Sequence, residues 1–221
     1  MQNSNFIPYD AIQYSDEKSL TESHDFHDFM DRRRSLRDFS DRPVAKTIIE
    51  NIIKTASSAP SGAHKQPWTF CAVSNLEVKK QIRAAAEKEE YENYHGRMSA
   101  EWLEDLAIFE TDWKKEFLET APWLIIVFKK VFDDIEGEKH KNYYVNESVG
   151  LATGFLLAAI HKAGLVSLTH TPSPMRFLQK ILKRPDNERP FLLIPVAYPP
   201  KVSTVPDLKR KDLNEVCVFF E

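Results

Sequence analysis

Apolar positions along the chain follow two kinds of pattern, helical spacing and unbroken runs. Phe26, Phe29 and Met30 mark a helix over residues 24–34, after an irregular arm over 1–23 that Pro8 breaks. Ile48, Ile49, Ile52, Ile53 and Ala56 form one stripe, which predicts a core helix over 45–57. Residues 76–94 read as a charged helix whose first half faces the surface, and 175–182 as a short helix after two prolines. Residues 146–163 are apolar nearly all round, the pattern of a buried helix. Glu147, Ser148, His161 and Lys162 at its ends favour a core or interface helix over a membrane span. Gly150-Leu151-Ala152-Thr153-Gly154 within it allows another helix to approach closely.

The unbroken runs at 69–73, 123–128, 166–169, 191–196 and 216–220 read as strands, and 123–128 as one buried on both faces. Pro195 implies a bulge or an edge in its strand. Residues 133–141 read as a charged loop and 201–212 as an extended polar tail. Between 96 and 117, Trp102, Phe109, Trp113 and Phe117 are mixed with charges at no clear period. That mixture predicts a mobile lid over a site. Strands and helices interleave without strict βαβ spacing. The expected fold class is therefore α+β, a mainly antiparallel sheet flanked by helices, in one domain over 1–221.

Composition narrows the function. With 42% apolar residues the chain can bury a sizeable core. A net charge of −3 and a pI near 6.2 argue against a general nucleic-acid binder. Cys71 and Cys217 have no metal or redox spacing, so they read as buried free thiols in a reducing cytoplasm. The first 20 residues carry Tyr9, Asp10, Asp16, Glu17 and Lys18 in place of an apolar run. No membrane segment or signal peptide is expected. His24 and His27 have the only ligand-like histidine spacing, too little to predict a metal. Without Gly-x-Gly-x-x-Gly, a Rossmann dinucleotide site is not supported.

On this acidic background Arg32, Arg33, Arg34 and Arg37 are a local concentration of charge around Ser35. Guanidinium forks suit phosphate oxygens. Taken alone, the cluster fits a solvated basic helix end equally well. A second stretch, Ala59-Pro60-Ser61-Gly62-Ala63, is small and polar and suits close backbone approach to a flat ligand. Glu90 and Tyr94 share a helix face at i,i+4.

These stretches, with Glu90-Tyr91-Glu92-Asn93-Tyr94, Thr169-His170-Thr171-Pro172 and the segment from Val205 to Lys211, resemble the flavin-dependent nitroreductase family. The Glu90–Tyr94 stretch points to its iodotyrosine deiodinase branch. The resemblance spans about residues 26–215 and implies an intertwined homodimer that binds FMN. It implies that Arg33, Arg34, Ser35, Arg37 and Arg210 hold the phosphate end. Pro60, Ser61 and Gly62 would lie against the ring and ribityl chain, and Thr169, His170 and Thr171 along the isoalloxazine. Thr171 matches the catalytic threonine whose hydroxyl meets N5 and favours one-electron steps. Glu90, Tyr94 and Lys115 would bind the zwitterion of a halotyrosine, and the Ala63 N–H its phenolate oxygen. The implied reaction converts iodotyrosine to tyrosine and iodide. A hydride-transferring nitroreductase or quinone reductase using NAD(P)H is the second reading, and a basic arm for phosphate-rich partners the third. The electron donor, NAD(P)H or a separate reductase, stays open. So does the role of Ala197, where the family usually has glycine and a positive φ would cost alanine about 1 kcal/mol.

Overall fold

The structure, a computed structural model, describes residues 6–221 and divides into two compact units, Met1–Arg33 and Arg34–Glu221. In the first, helix α1 spans Asp16–Asp31. It begins eight residues before the predicted start, so the irregular arm is shorter than expected among the described residues. Ser15 caps it by accepting a hydrogen bond from the Lys18 N–H, and Asp16 and Glu17 favour the positive end of the helix dipole. None of its residues is buried.

The second unit opens with α2 (Lys46–Ser57), which buries Ile49, Ile52 and Ala56. Strand β1 (Trp68–Val73) leads into α3 (Leu76–Glu92). The region expected to lack regular structure holds α4 (Ala100–Ala107), capped by Ser99, and reaches α5 (Phe117–Thr120). Strand β2 (Trp123–Lys130) follows. The predicted charged loop is instead a hairpin of β3 (Phe132–Ile135) and β4 (Glu138–Lys141). Glu136 and Gly137, both at positive φ, make its two-residue turn. Then come α6 (Val145–Lys162), β5 (Val166–Ser167), α7 (Arg176–Ile181), β6 (Glu188–Ala197) and α8 (Leu213–Val216).

The main sheet runs β1-β2-β6-β5, every pair antiparallel. Strand alternation divides its residues between two cores. Ile125, Val127, Ile194 and Val196 pack with α2 and α6. Leu124, Ile126, Phe128 and Leu193 pack with Ile82 of α3, Leu118 of α5 and Leu178 of α7. Truncating one of these fully buried leucines to alanine costs about 2–5 kcal/mol.

Pro195 corrects its prediction. It lies in β6, an inner strand, and the bulge falls elsewhere, between Val127 and Phe128. Val166 pairs with Ala197 and Ser167 with Val196; the same register resumes only at His170 and Leu193. The gap lies opposite Pro195, which has no N–H to give. Ala197 is fully buried, pairs with Val166 and has no positive φ, so it carries no glycine-type strain.

Three further expectations change. Helix α6 is not buried all round, because Gly150, Leu151, Gly154 and Phe155 lie open on one side. Residues 216–220 form no strand; Val216 closes α8, and Val218, Phe219 and Phe220 are exposed. Both cysteines are free but half-buried.

Candidate active site

Helix α3 ends at Glu92 and widens into a single π turn over Asn93–Arg97. Turns of this kind often occur at functional sites. Glu90 is therefore on the regular helix and Tyr94 on the π turn. The buried Asn93 donates to the Ser173 carbonyl at 2.9 Å, tying this end of α3 to the segment after Thr171. Opposite stands Lys115, just before α5. Its backbone N–H donates to Glu87 Oε1 at 2.8 Å, and Arg83 Nε holds the same carboxylate at 2.8 Å.

Lys115 Nζ lies 3.4 Å from Glu90 Oε2, and the two side chains are only 4% and 8% exposed. The ammonium also donates to the Asp112 carbonyl and to Thr111 Oγ1. It sits 5.5 Å from the centre of the Tyr94 ring, whose hydroxyl donates to the Thr111 carbonyl at 3.2 Å. Burial pushes the Glu90 carboxyl above its usual range and the Lys115 amine below its own. Their mutual attraction offsets this only in part. The pair is thus desolvated and incompletely compensated.

A cavity of about 180 Å³ opens beside this pair. Arg37, Glu90, Tyr94, Lys115 and the run from Thr169 to Thr171 line it, and Trp102 and Leu106 of α4 form another wall. Thr169 and Thr171 are exposed and their hydroxyls bond to no described residue. His170 between them is buried. Its backbone exchanges two hydrogen bonds with Leu193, and its ring meets Phe117 edge-on at 5.6 Å. Burial, then the charges of Lys115 and Arg37, lower its pKa to about 3. The imidazole is neutral, and its buried Nε2 has no partner among the described residues. The Arg37 guanidinium lies 4.8 Å from the centre of the Phe109 ring.

The other predicted site residues lie outside this cavity's lining. Ser35 bridges in parallel to Ser167, and the Leu36 N–H donates to the Ser167 carbonyl at 3.2 Å, so Arg34 to Arg37 run beside β5. Arg33 belongs to the first unit. Pro60 is exposed. Ser61 Oγ accepts from the Gln66 N–H at 2.9 Å, and the Gly62 N–H donates to Ser148 Oγ at 3.3 Å. A Cβ on Gly62 would meet the Tyr144 ring at 3.0 Å, which explains the glycine. Ala63 has φ 48°, and its N–H donates to no described residue. Arg210 is exposed in the polar tail before α8. Sequence reasoning missed Glu87, Thr111 and Asn93. Only Glu87 left a trace, since it stands at i−3 from Glu90 on α3.

Comparison with known proteins bears on what this arrangement does. The profile of the nitroreductase family matches residues 30–198. An iodotyrosine deiodinase of Haliscomenobacter hydrossis is 61% identical over 220 residues, covering 99% of each chain. Human iodotyrosine deiodinase 1 is 44% identical over 221 residues, covering 98% of this chain and 76% of its own. Among solved structures, oxidized iodotyrosine deiodinase bound to FMN and 3-iodo-L-tyrosine superposes with a TM-score of 0.74 at 32% identity. That match covers 89% of this chain and 98% of the other.

Proposed function

The chain belongs to the nitroreductase family, among its iodotyrosine deiodinases, and on that footing we propose that it reductively removes halogen from halotyrosines, with FMN as cofactor. The observation that carries this reading is the buried Glu90–Lys115 pair beside Tyr94, in one cavity with Thr169, His170 and Thr171. An amino acid brings one ammonium and one carboxylate. Glu90 takes the ammonium, Lys115 the carboxylate, and the Tyr94 hydroxyl a further hydrogen bond. The zwitterion then replaces one loose ion pair with two closer ones, which lowers the cost of desolvating the substrate. A nitroaromatic or quinone has no such charges to exchange, which favours the deiodinase reading over a general nitroreductase.

FMN fits two sets of groups in this part of the chain. The hydroxyls of Thr169 and Thr171 are exposed and without described partners, and Arg34, Ser35 and Arg37 lie on one short stretch beside β5. In our reading they hold the ring and the phosphate end, with Pro60, Ser61 and Gly62, and with Arg33 and Arg210 as further cations. When bound, FMN supplies the two electrons that cleavage of the carbon–halogen bond consumes. Thr171 would offer its hydroxyl proton to the bound flavin, the role that makes it the catalytic candidate. The Ala63 N–H, unpartnered among the described residues, would donate to the phenolate oxygen. Trp102 and Leu106 of α4 close over the aromatic ring and exclude water, strengthening each charge contact.

The working unit in this reading is a homodimer in the cytoplasm. Among the described residues, a Cβ on Gly150 or Gly154 would meet no atom within 4 Å, so neither glycine serves packing against them. A partner's helix approaching that open face of α6 would give both a use. No helix of the described residues is long and apolar enough to cross a membrane.

Anaerobic incubation of the dithionite-reduced protein with diiodotyrosine tests the reading. Tyrosine and iodide are the expected products. Rapid NADPH-driven reduction of nitroaromatics with no iodide released would replace it with the nitroreductase reading.

A further inference from the structure

Beyond the cavity lies a larger groove, about 910 Å³ in volume, along α7 and the start of β6. Lys129, Arg176, Lys180, Lys183, Arg184 and Arg189 line it, against the single acid Asp186. The chain as a whole has a net charge of −3, so this concentration is local.

The fold answers only part of that charge. Arg184 is matched by Glu188, at 2.6 and 2.9 Å. Lys129 Nζ donates to the neutral Asn146 Oδ1 at 2.8 Å. The side chains of Arg176, Lys180, Lys183 and Arg189 are exposed, with no hydrogen bond or ion pair to a described residue. Arg176 and Lys180 stand at i,i+4 on α7, where like charges repel. Lys129 and Arg189 face each other directly across the β2–β6 ladder, a second unfavourable placement. No packing requirement within the described residues explains keeping these charges together, whereas an anionic partner would.

The groove also adjoins the reaction site. Ser173 and Pro174 form part of its wall, two and three residues beyond Thr171. The Asn93 bond to the Ser173 carbonyl joins that segment to the end of α3 that carries Glu90 and Tyr94. No aromatic side chain lines the groove to stack a nucleobase, and no glycine-rich loop cradles a pyrophosphate. Its cations come from a helix, a turn and two strands, so they present a broad face and not a convergent phosphate cup. Such a face suits the acidic surface of another protein, and brief encounters between redox proteins are steered by opposed patches of this kind.

We propose that this groove is the docking surface for an acidic electron-carrier protein of the flavodoxin or ferredoxin class. The inference rests on the deiodinase reading, whose reaction needs an external reductant. Each reduced carrier gives up one electron and leaves oxidised. Two encounters and one proton from water supply what one halotyrosine consumes in becoming tyrosine and halide.

The test uses the full-length FMN-loaded protein, a recombinant acidic flavodoxin and a plant-type ferredoxin. At low salt at least one carrier binds, and binding fades as ionic strength rises. The triple variant Arg176→Glu, Lys180→Glu, Arg189→Glu binds it about ten- to a hundredfold more weakly. Carrier-driven iodide release falls in parallel, while FMN content and dithionite-driven turnover match the wild type. Binding by neither carrier, or equal binding by the triple variant, overturns the proposal. So does a variant that loses NADPH-driven reduction and keeps carrier binding, which would make the groove a nucleotide site. Wild-type protein that releases no iodide with dithionite overturns the deiodinase reading instead; carrier binding, measured without turnover, still decides the groove.

Discussion

Two buried carboxylates in this chain meet a cation in opposite ways. Glu188, at the start of β6, accepts from Arg184 Nε at 2.6 Å, from a second Arg184 nitrogen at 2.9 Å and from Thr69 Oγ1 at 2.7 Å. Burial pushes its carboxyl upward, but the bonds from Arg184 and Thr69 outweigh that and hold it below the usual range. Glu90 meets Lys115 through one 3.4 Å contact, and there burial dominates. The Thr69 bond to Glu188 clasps β1 to β6 across β2, and with both Arg184 bonds the Glu188 carboxylate meets three donors. The second pair leaves bonding capacity unused on Glu90, while the Lys115 ammonium is shared among Glu90, the Asp112 carbonyl and Thr111 Oγ1, so an incoming zwitterion gains by exchanging a long contact for shorter ones. Burial alone therefore does not separate a structural ion pair from a binding one. The number and length of the bonds around it do.

The largest effect should come from removing the loose pair. The double variant Glu90→Gln, Lys115→Met should unfold no more easily than the wild type, because replacing a buried ion pair is often neutral or stabilising. Its affinity for iodotyrosine should fall by about 4 kcal/mol, two charge-assisted contacts, in a flavin-fluorescence titration. A large loss of stability with affinity intact would reverse the comparison.

Breaking the saturated pair should act on stability. Glu188→Ala leaves Arg184 and Thr69 without their acceptor. The Arg184 side chain is 32% exposed, so solvent screens the orphaned charge and the loss is about 2–3 kcal/mol in urea unfolding. The contribution of Glu188 is present above the ordinary carboxyl value of 4.5 and disappears as pH falls through the lowered folded value.

His170 sharpens the comparison, being buried beside the loose pair with no counter-ion. Its pKa falls from 6.5 to about 3, so its stabilising contribution is present above pH 6.5 and is lost progressively as pH drops toward 3. Between pH 6.5 and 5 the wild type should lose roughly 2 kcal/mol more than His170→Gln, measured by unfolding across pH. Parallel pH profiles would show that the folded protein accommodates the imidazolium.

The smallest effect belongs to Thr171→Ala, which removes one neutral donor worth about 1 kcal/mol. Deiodination should slow about fivefold, while FMN content, iodotyrosine binding and nitroaromatic reduction persist. An unchanged deiodination rate would remove Thr171 from the catalytic assignment.

The strands with unbroken apolar runs were legible because burial on both faces leaves a strong signal. Helix α2 was legible for the same reason on one face. Helix α1 was legible only in its second half, where Phe26, Phe29 and Met30 keep a helical spacing; its first half has no such stripe, and its readable mark was Ser15 before Asp16 and Glu17. The β3–β4 hairpin was hidden by charge, although Glu136-Gly137 is a turn signal. Residues 216–220 have strand composition but no neighbouring strand within the described chain to pair with. At the site, spacing suggested Glu90 with Tyr94, and resemblance added Lys115. The backbone anchor at Glu87 and the acceptor at Thr111 depend on how residues 108–116 fold back, which no local pattern records.

The gap in the ladder opposite Pro195 also bears on self-association. A sheet that ended in a long, straight, unpaired strand would offer a template for another chain. Here β5 is two residues long, its ladder is interrupted by the pyrrolidine ring of Pro195, and Ser35 and Leu36 occupy Ser167 from the far side. The segment that positions Arg34 and Arg37 thereby also blunts this edge. A mutation that detached it would expose backbone donors and acceptors together with the arginines, and fibrous aggregation would accompany cofactor loss.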